Sequence, residues 1–169
     1  TNTFGGNSFR LKLHNGESRV DELNQAAARI LAAEIESSGR KVAIAGSIGP
    51  TGEILEPSGT TTIEEAAESF AEQAKALQAG GAHVLWIETI SSREEAIAAV
   101  RGAATTGLPI VMTMSIDTNG RTMMGLTPAD LVHLQDELDV TLHAYGTNCG
   151  LGAAEVVAAI VNMHHAAED

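Results

Sequence analysis

The sequence predicts an α/β protein built on a parallel sheet. Short runs rich in apolar and β-branched residues recur along the chain, and amphipathic helical patterns fill the intervals between them. The helical patterns also open on capping residues and close on glycine. Alternation of this kind implies parallel strands joined by right-handed crossovers.

The elements follow in order. Residues 1–4, Thr-Asn-Thr-Phe, have the character of the end of a strand. Residues 18–38 predict a long amphipathic helix, with Leu23, Ala27, Ile30, Leu31 and Ile35 at helical spacing and Gly39 as its stop. Four buried strands are predicted over residues 42–47, 84–88, 110–116 and 141–147. Thr62-Ile63-Glu64-Glu65 and Ser92-Arg93-Glu94-Glu95 have the form of capping boxes that begin the next helices. Thr127-Pro128 offers an N-cap with proline at the first helical position, while Gly80-Gly81 and Gly107 mark helix ends.

Composition narrows the function. The 169 residues are 44% hydrophobic, which suits one globular unit over residues 1–169 with a substantial core. No apolar stretch approaches the roughly 20 residues that span a bilayer, and no secretory pattern opens the sequence. One cysteine excludes an internal disulfide framework and points to a cytoplasmic location. A formal charge of −12 would repel a phosphate backbone, which excludes nucleic acid as a partner. No membrane association is expected, and a homo-oligomer is compatible with the sequence.

The single cysteine, Cys149, lies in Thr147-Asn148-Cys149-Gly150, where the last apolar run gives way to a glycine-rich turn and a helix. Free cysteines are often small buried hydrophobes. A cysteine at the carboxyl end of a parallel strand instead points into the region where such folds place their sites. Other unusual residues occupy the same ends of the other strands: Asn2, the Ser47–Gly52 loop, Glu88-Thr89 and Asp117. Periodicity does not separate an open doubly wound sheet from a (β/α)₈ barrel. The absence of a G-x-G-x-x-G motif weakens dinucleotide binding, and the polar strand ends suggest a barrel mouth.

The stretches Thr1-Asn2-Thr3-Phe4-Gly5-Gly6-Asn7, Gly46-Ser47-Ile48-Gly49-Pro50-Thr51-Gly52, Trp86-Ile87-Glu88-Thr89 and Gly146-Thr147-Asn148-Cys149-Gly150 occur in this order. Together they resemble the homocysteine S-methyltransferase family of zinc-dependent TIM barrels. Residues 114–127 are most similar to bacterial enzymes described as betaine–homocysteine methyltransferases. The resemblance implies a (β/α)₈ barrel of which residues 1–169 cover roughly strands two to six. It also implies zinc-dependent methyl transfer from betaine or a sulfonium to homocysteine, giving methionine.

By the same resemblance, Cys149 matches the first of three zinc-binding cysteines, with Asn148 beside it. Glu88 matches a glutamate that contacts the homocysteine amino group, and the Ser47 loop lines the substrate pocket. Asn2 and Thr3 would line the same mouth, with a purely structural role as the alternative. Methylating a thiol at neutral pH requires thiolate, which a soft, cysteine-bound zinc with one open position favours.

No histidine replaces the missing sulfur ligands. His143 is about 20 Å from Cys149 along an extended strand, His83 lies at the opposite end of the sheet, and His164 and His165 end a helix. Asp117 reads as the start of an Asp-Thr-Asn-Gly turn, and the methionines as core filler. Betaine would call for aromatic faces. Gly5 and Thr89 stand where the animal betaine enzymes carry tyrosines, so no aromatic cage is expected in this segment. The alternative function is a non-catalytic, truncated barrel that binds a partner. Five strands cannot close a barrel of about 250 residues. An open sheet would expose Ile44, Leu85 and Val111 and would self-associate.

Overall fold

The computed structural model of the chain describes residues 1–168. Its strands are β1 (Ala45–Ile48), β2 (Val84–Ile90), β3 (Ile110–Ser115) and β4 (Ala144–Asn148). They form one sheet in the order β1-β2-β3-β4, with every neighbouring pair parallel. The helices are α1 (Ser8–Lys12), α2 (Val20–Ser38), α3 (Ile63–Ala79), α4 (Arg93–Ala104), α5 (Pro128–Leu134) and α6 (Ala153–Ala166). Strand order that never reverses, joined by right-handed crossovers, puts the helices on one face of the sheet. This is the arrangement of a barrel wall, and it lacks the reversal that defines a doubly wound sheet.

All four predicted strands are present, displaced by a few residues at their ends. The first begins at Ala45 instead of residue 42, and Val42 is exposed. The Ile44 carbonyl accepts from the backbone of His83 and Val84, and the Ile44 N–H donates to His83 Nδ1 at 2.9 Å. His83 thus ties the strand entrances together at the end of the sheet opposite Cys149. Residues 1–4 form no regular strand but run beside β1. The Thr1 amino group donates to the Ala45 carbonyl, and the Gly49 N–H donates to the Phe4 carbonyl.

The main core lies between the sheet and the helices. Leu85, Ile87, Ile110, Met112 and Met114 pack there with Phe70, Ala74 and Leu77 of α3 and Ala96, Ala99, Val100 and Ala103 of α4. This corrects the expectation that Ile44, Leu85 and Val111 would face water. Ile44 and Leu85 belong to the helix-facing core, and Val111 is only 9% exposed. The large apolar side chain that β2 presents on the open face is Trp86, 42% exposed.

The buried stripe of α2 keeps Leu31 and Ile35 of the predicted set against the core but is shifted in its first half. Val20, Asn24 and Ala28 are fully buried, whereas Ile30 is 64% exposed. The shift places a polar residue in the core because its hydrogen bonds are met there. Asn24 Nδ2 donates to the Gly6 and Val20 carbonyls, and its Oδ1 accepts from Gln73 Nε2. Gln73 Nε2 also donates to the Thr3 carbonyl at 2.7 Å, which fixes the first residues against β1.

The capping predictions hold at Thr62 and Thr127, where both arms of each box are made, and Pro128 occupies the first turn of α5. At Ser92 only one arm forms. Ser92 Oγ accepts from the Glu95 N–H, but the Glu95 carboxylate turns away and accepts from the Thr51 N–H and hydroxyl at 2.8 and 2.6 Å.

Candidate active site

The carboxyl ends of β1 to β4 bring polar side chains to one rim. Parallel pairing sets Ser47 of β1 beside Trp86 of β2, and Ser115 of β3 beside Asn148 of β4. Ser47 is held at three points. Its N–H donates to Thr1 Oγ1 at 2.9 Å, its carbonyl accepts from Thr3 Oγ1 at 2.6 Å, and its hydroxyl donates to Glu88 Oε1 at 2.5 Å. Glu88 lies on the face of Trp86, one pleat nearer the rim, and is half-buried. A half-buried carboxylate already oriented by a hydroxyl is suited to an ammonium group, because such hydrogen bonds are charge-assisted.

On the far side of β3, Asn148 ends β4 and Cys149 follows it with φ 59°, in the left-handed region. The Cys149 thiol is exposed. Asn148 reaches over β3 to β2, where its Oδ1 accepts from the Thr89 N–H at 3.0 Å and its Nδ2 donates to Thr89 Oγ1 at 2.7 Å. The same Nδ2 donates to Cys149 Sγ at 3.1 Å. Glu88 and Thr89 are consecutive, so the Ser47–Glu88 pair and the Thr89–Asn148–Cys149 group meet at the end of β2.

Ser47, Glu88, Asn148 and Cys149 therefore gather at one rim. Asn2 does not join them. It is exposed and lines a groove with Leu23, Asn24, Ala27 and Ile30 of α2. Thr3 serves β1 through its hydrogen bond to Ser47. His143, His164 and His165 stay apart from Cys149, and among the described residues no three His, Cys, Asp or Glu side chains converge as a metal site. Cys149 offers a sulfur donor of the softness zinc prefers, but it is one donor where a catalytic zinc takes three from the protein and keeps the fourth position open. The described residues do not by themselves make a zinc centre.

Three features of the rim escaped the sequence reading. Thr89 has φ 65° although it is a β-branched residue, and the β2–β3 register slips between Ile87 and Ile90. Neither is encoded in residue type. The third is the Thr51–Glu95 pair, which anchors the loop after β1 to the first turn of α4. Glu95 is 4% exposed. Burial pushes its carboxyl above the ordinary range, against the opposing effects of the Thr51 hydrogen bonds and the Arg10 charge. A glutamate at the N3 position reads as a capping partner, which conceals this second use.

Residues 1–169 match the profile of homocysteine S-methyltransferases. Methionine synthase of Mycobacterium tuberculosis is 30% identical over an alignment of 165 positions that covers 92% of this chain and 14% of that protein. The crystal structure of the homocysteine methyltransferase MmuM from Escherichia coli in its oxidised form superposes with a TM-score of 0.78 at 18% identity, covering 98% of this chain and 61% of that one. Its metallated form gives the same TM-score and covers 62% of that chain. The fold is thus part of a TIM-barrel-like domain, and the chain spans about a seventh of the matched synthase and about three fifths of the matched structures.

Proposed function

Because the chain belongs to the homocysteine S-methyltransferase family, we propose that it takes part in zinc-dependent methyl transfer from betaine or a sulfonium to homocysteine, giving methionine. The observation that carries this reading is the Ser47–Glu88 pair beside the Asn148–Cys149 pair at one rim of a barrel wall. Glu88, oriented by Ser47, binds the substrate ammonium. Cys149 contributes one of the thiolates that hold zinc, and the other ligands lie outside the described residues. Zinc held by thiolates supplies a Lewis acid that keeps a substrate sulfur ionised at neutral pH. Asn148 keeps the Cys149 sulfur at the rim.

Residues 1–169 act as one domain, and the protein works in the cytoplasm without nucleic acid or membrane partners. In support, no helix among the described residues is long and apolar enough to cross a membrane. Neither Asn2 nor an aromatic cage is assigned to the donor, so the choice between betaine and a sulfonium falls to the assay.

The test is methyl transfer to homocysteine, with betaine and S-methylmethionine as donors, together with zinc analysis. Cys149→Ser is expected to abolish both bound metal and turnover, and retained activity would refute its role. Glu88→Ala is expected to raise the homocysteine KM while zinc content stays normal. A charge-assisted hydrogen bond of about 1.5–3 kcal/mol corresponds to a roughly ten- to hundredfold effect. The second reading is a non-catalytic binding domain. Absence of zinc and of turnover in the wild-type protein would support it.

A further inference from the structure

Thr89 is a β-branched residue in left-handed backbone, φ 65°, at the point where the β2–β3 register slips. Backbone of this kind persists only where its surroundings over-determine it, and it concentrates at functional sites. Here the over-determination comes from one side chain. Asn148 closes a two-point clasp on Thr89, accepting its N–H at 3.0 Å and donating to its hydroxyl at 2.7 Å.

The clasp has a directional consequence. An amide free to rotate could present either its oxygen or its nitrogen to a neighbour. With Oδ1 committed to the Thr89 N–H, Nδ2 must face the Thr89 hydroxyl, and from there it donates to Cys149 Sγ at 3.1 Å. An amide nitrogen has donors alone to offer, so the clasp presents a donor to sulfur and excludes an acceptor. Cys149 itself is held at φ 59°. One amide thus links two residues of left-handed backbone, Thr89 in β2 and Cys149 just after β4, and the residue before Thr89 is Glu88.

We propose that Thr89 is a positioning residue: its bulged N–H and its hydroxyl orient the Asn148 amide, which fixes the Cys149 thiol in register with Glu88. The proposal rests on the reading that Glu88 and Cys149 belong to one site. Without the hydroxyl, Asn148 keeps a single anchor, its amide swings, and the sulfur loses its donor.

The test uses three variants of the full chain. Thr89→Val keeps the shape and removes the hydroxyl, Thr89→Ser keeps the hydroxyl, and Thr89→Gly removes both hydroxyl and strain. Cys149 is the only cysteine and is exposed, so its alkylation by iodoacetamide can be followed directly. Rates are taken up to the high-pH plateau, where every variant is fully ionised and differences in ionisation drop out. A sulfur relieved of its amide donor is the better nucleophile. The plateau rate is expected to rise about threefold or more in Thr89→Val and Thr89→Gly and to stay near wild type in Thr89→Ser. The Asn148 side-chain amide protons should exchange faster in the first two variants alone.

Thr89→Gly guards against a trivial explanation, because removing left-handed strain should leave its unfolding midpoint at or above that of wild type. Unchanged alkylation in Thr89→Val, failure of Thr89→Ser to restore it, or rates that simply follow the unfolding midpoints would each overturn the proposal. None of these readouts requires turnover, so failure here is distinct from failure of the methyl-transfer assay.

Discussion

Glu95 shows how a single residue can serve two elements at a cost. Its backbone N–H completes the cap at Ser92, while its carboxylate holds Thr51 of the loop that follows Ser47. Burial raises its pKa, so the charged form is the less favoured one in the folded chain. The stability this group contributes is full below its unfolded value near 4.5 and is lost as pH rises through the raised folded value. Glu95→Gln keeps an acceptor for Thr51 and removes the charge. Relative to that variant, the wild-type chain should gain stability as pH falls from neutrality towards 4.5 and then level off. Urea denaturation of both chains across this range checks the sign, and a difference that shrank on acidification would contradict the assignment.

The packing of α3 on α4 depends at element scale on Gly102. A Cβ there would lie 2.6 Å from the Ala67 carbonyl oxygen, 2.7 Å from Phe70 Cβ and 2.8 Å from the Ala71 nitrogen. Backbone atoms of a packed helix cannot move aside cheaply. Gly102→Ala would gain about 1 kcal/mol of intrinsic helix preference but would incur an overpacking cost of about 1–3 kcal/mol. The clash outweighs the gain, and net destabilisation is expected by urea denaturation. A more stable variant would mean that the helices can separate without loss. Gly102 is therefore a contact residue inside a helix, in contrast to Gly39, which ends α2 with φ 65°.

The whole molecule presents apolar surface on the sheet face and on the last helix. Trp86 is 42% exposed, and Val157, Ile160 and Val161 of α6 are 61%, 44% and 45% exposed. Apolar surface of this extent favours association, and a net charge of −12 opposes it only over the range that salt permits. The 169-residue chain should self-associate with rising concentration in sedimentation velocity, more strongly at high salt. The emission of Trp86, its only tryptophan, should shift to shorter wavelength as it does so. A monomer at every concentration and salt level would refute this.

The alternation of strand and helix, the caps at Thr62 and Thr127, and the gathering of Ser47, Glu88, Asn148 and Cys149 at the strand ends were legible from residue type and order alone. These depend on local preference and on a period that sequence carries directly. Three features were decided by tertiary structure. The α2 stripe shifted in its first half because Asn24 found buried partners in Gly6, Val20 and Gln73. Asn2 went to a groove on α2, because the hydrogen bonds to β1 came from Thr1 and Thr3. Thr89 has a left-handed backbone at the point where Asn148, 59 positions along the chain, clasps it from across β3. Sequence determines which residues reach the rim; which of them touch is settled by contacts between residues far apart in the chain, and local propensity contains no record of those.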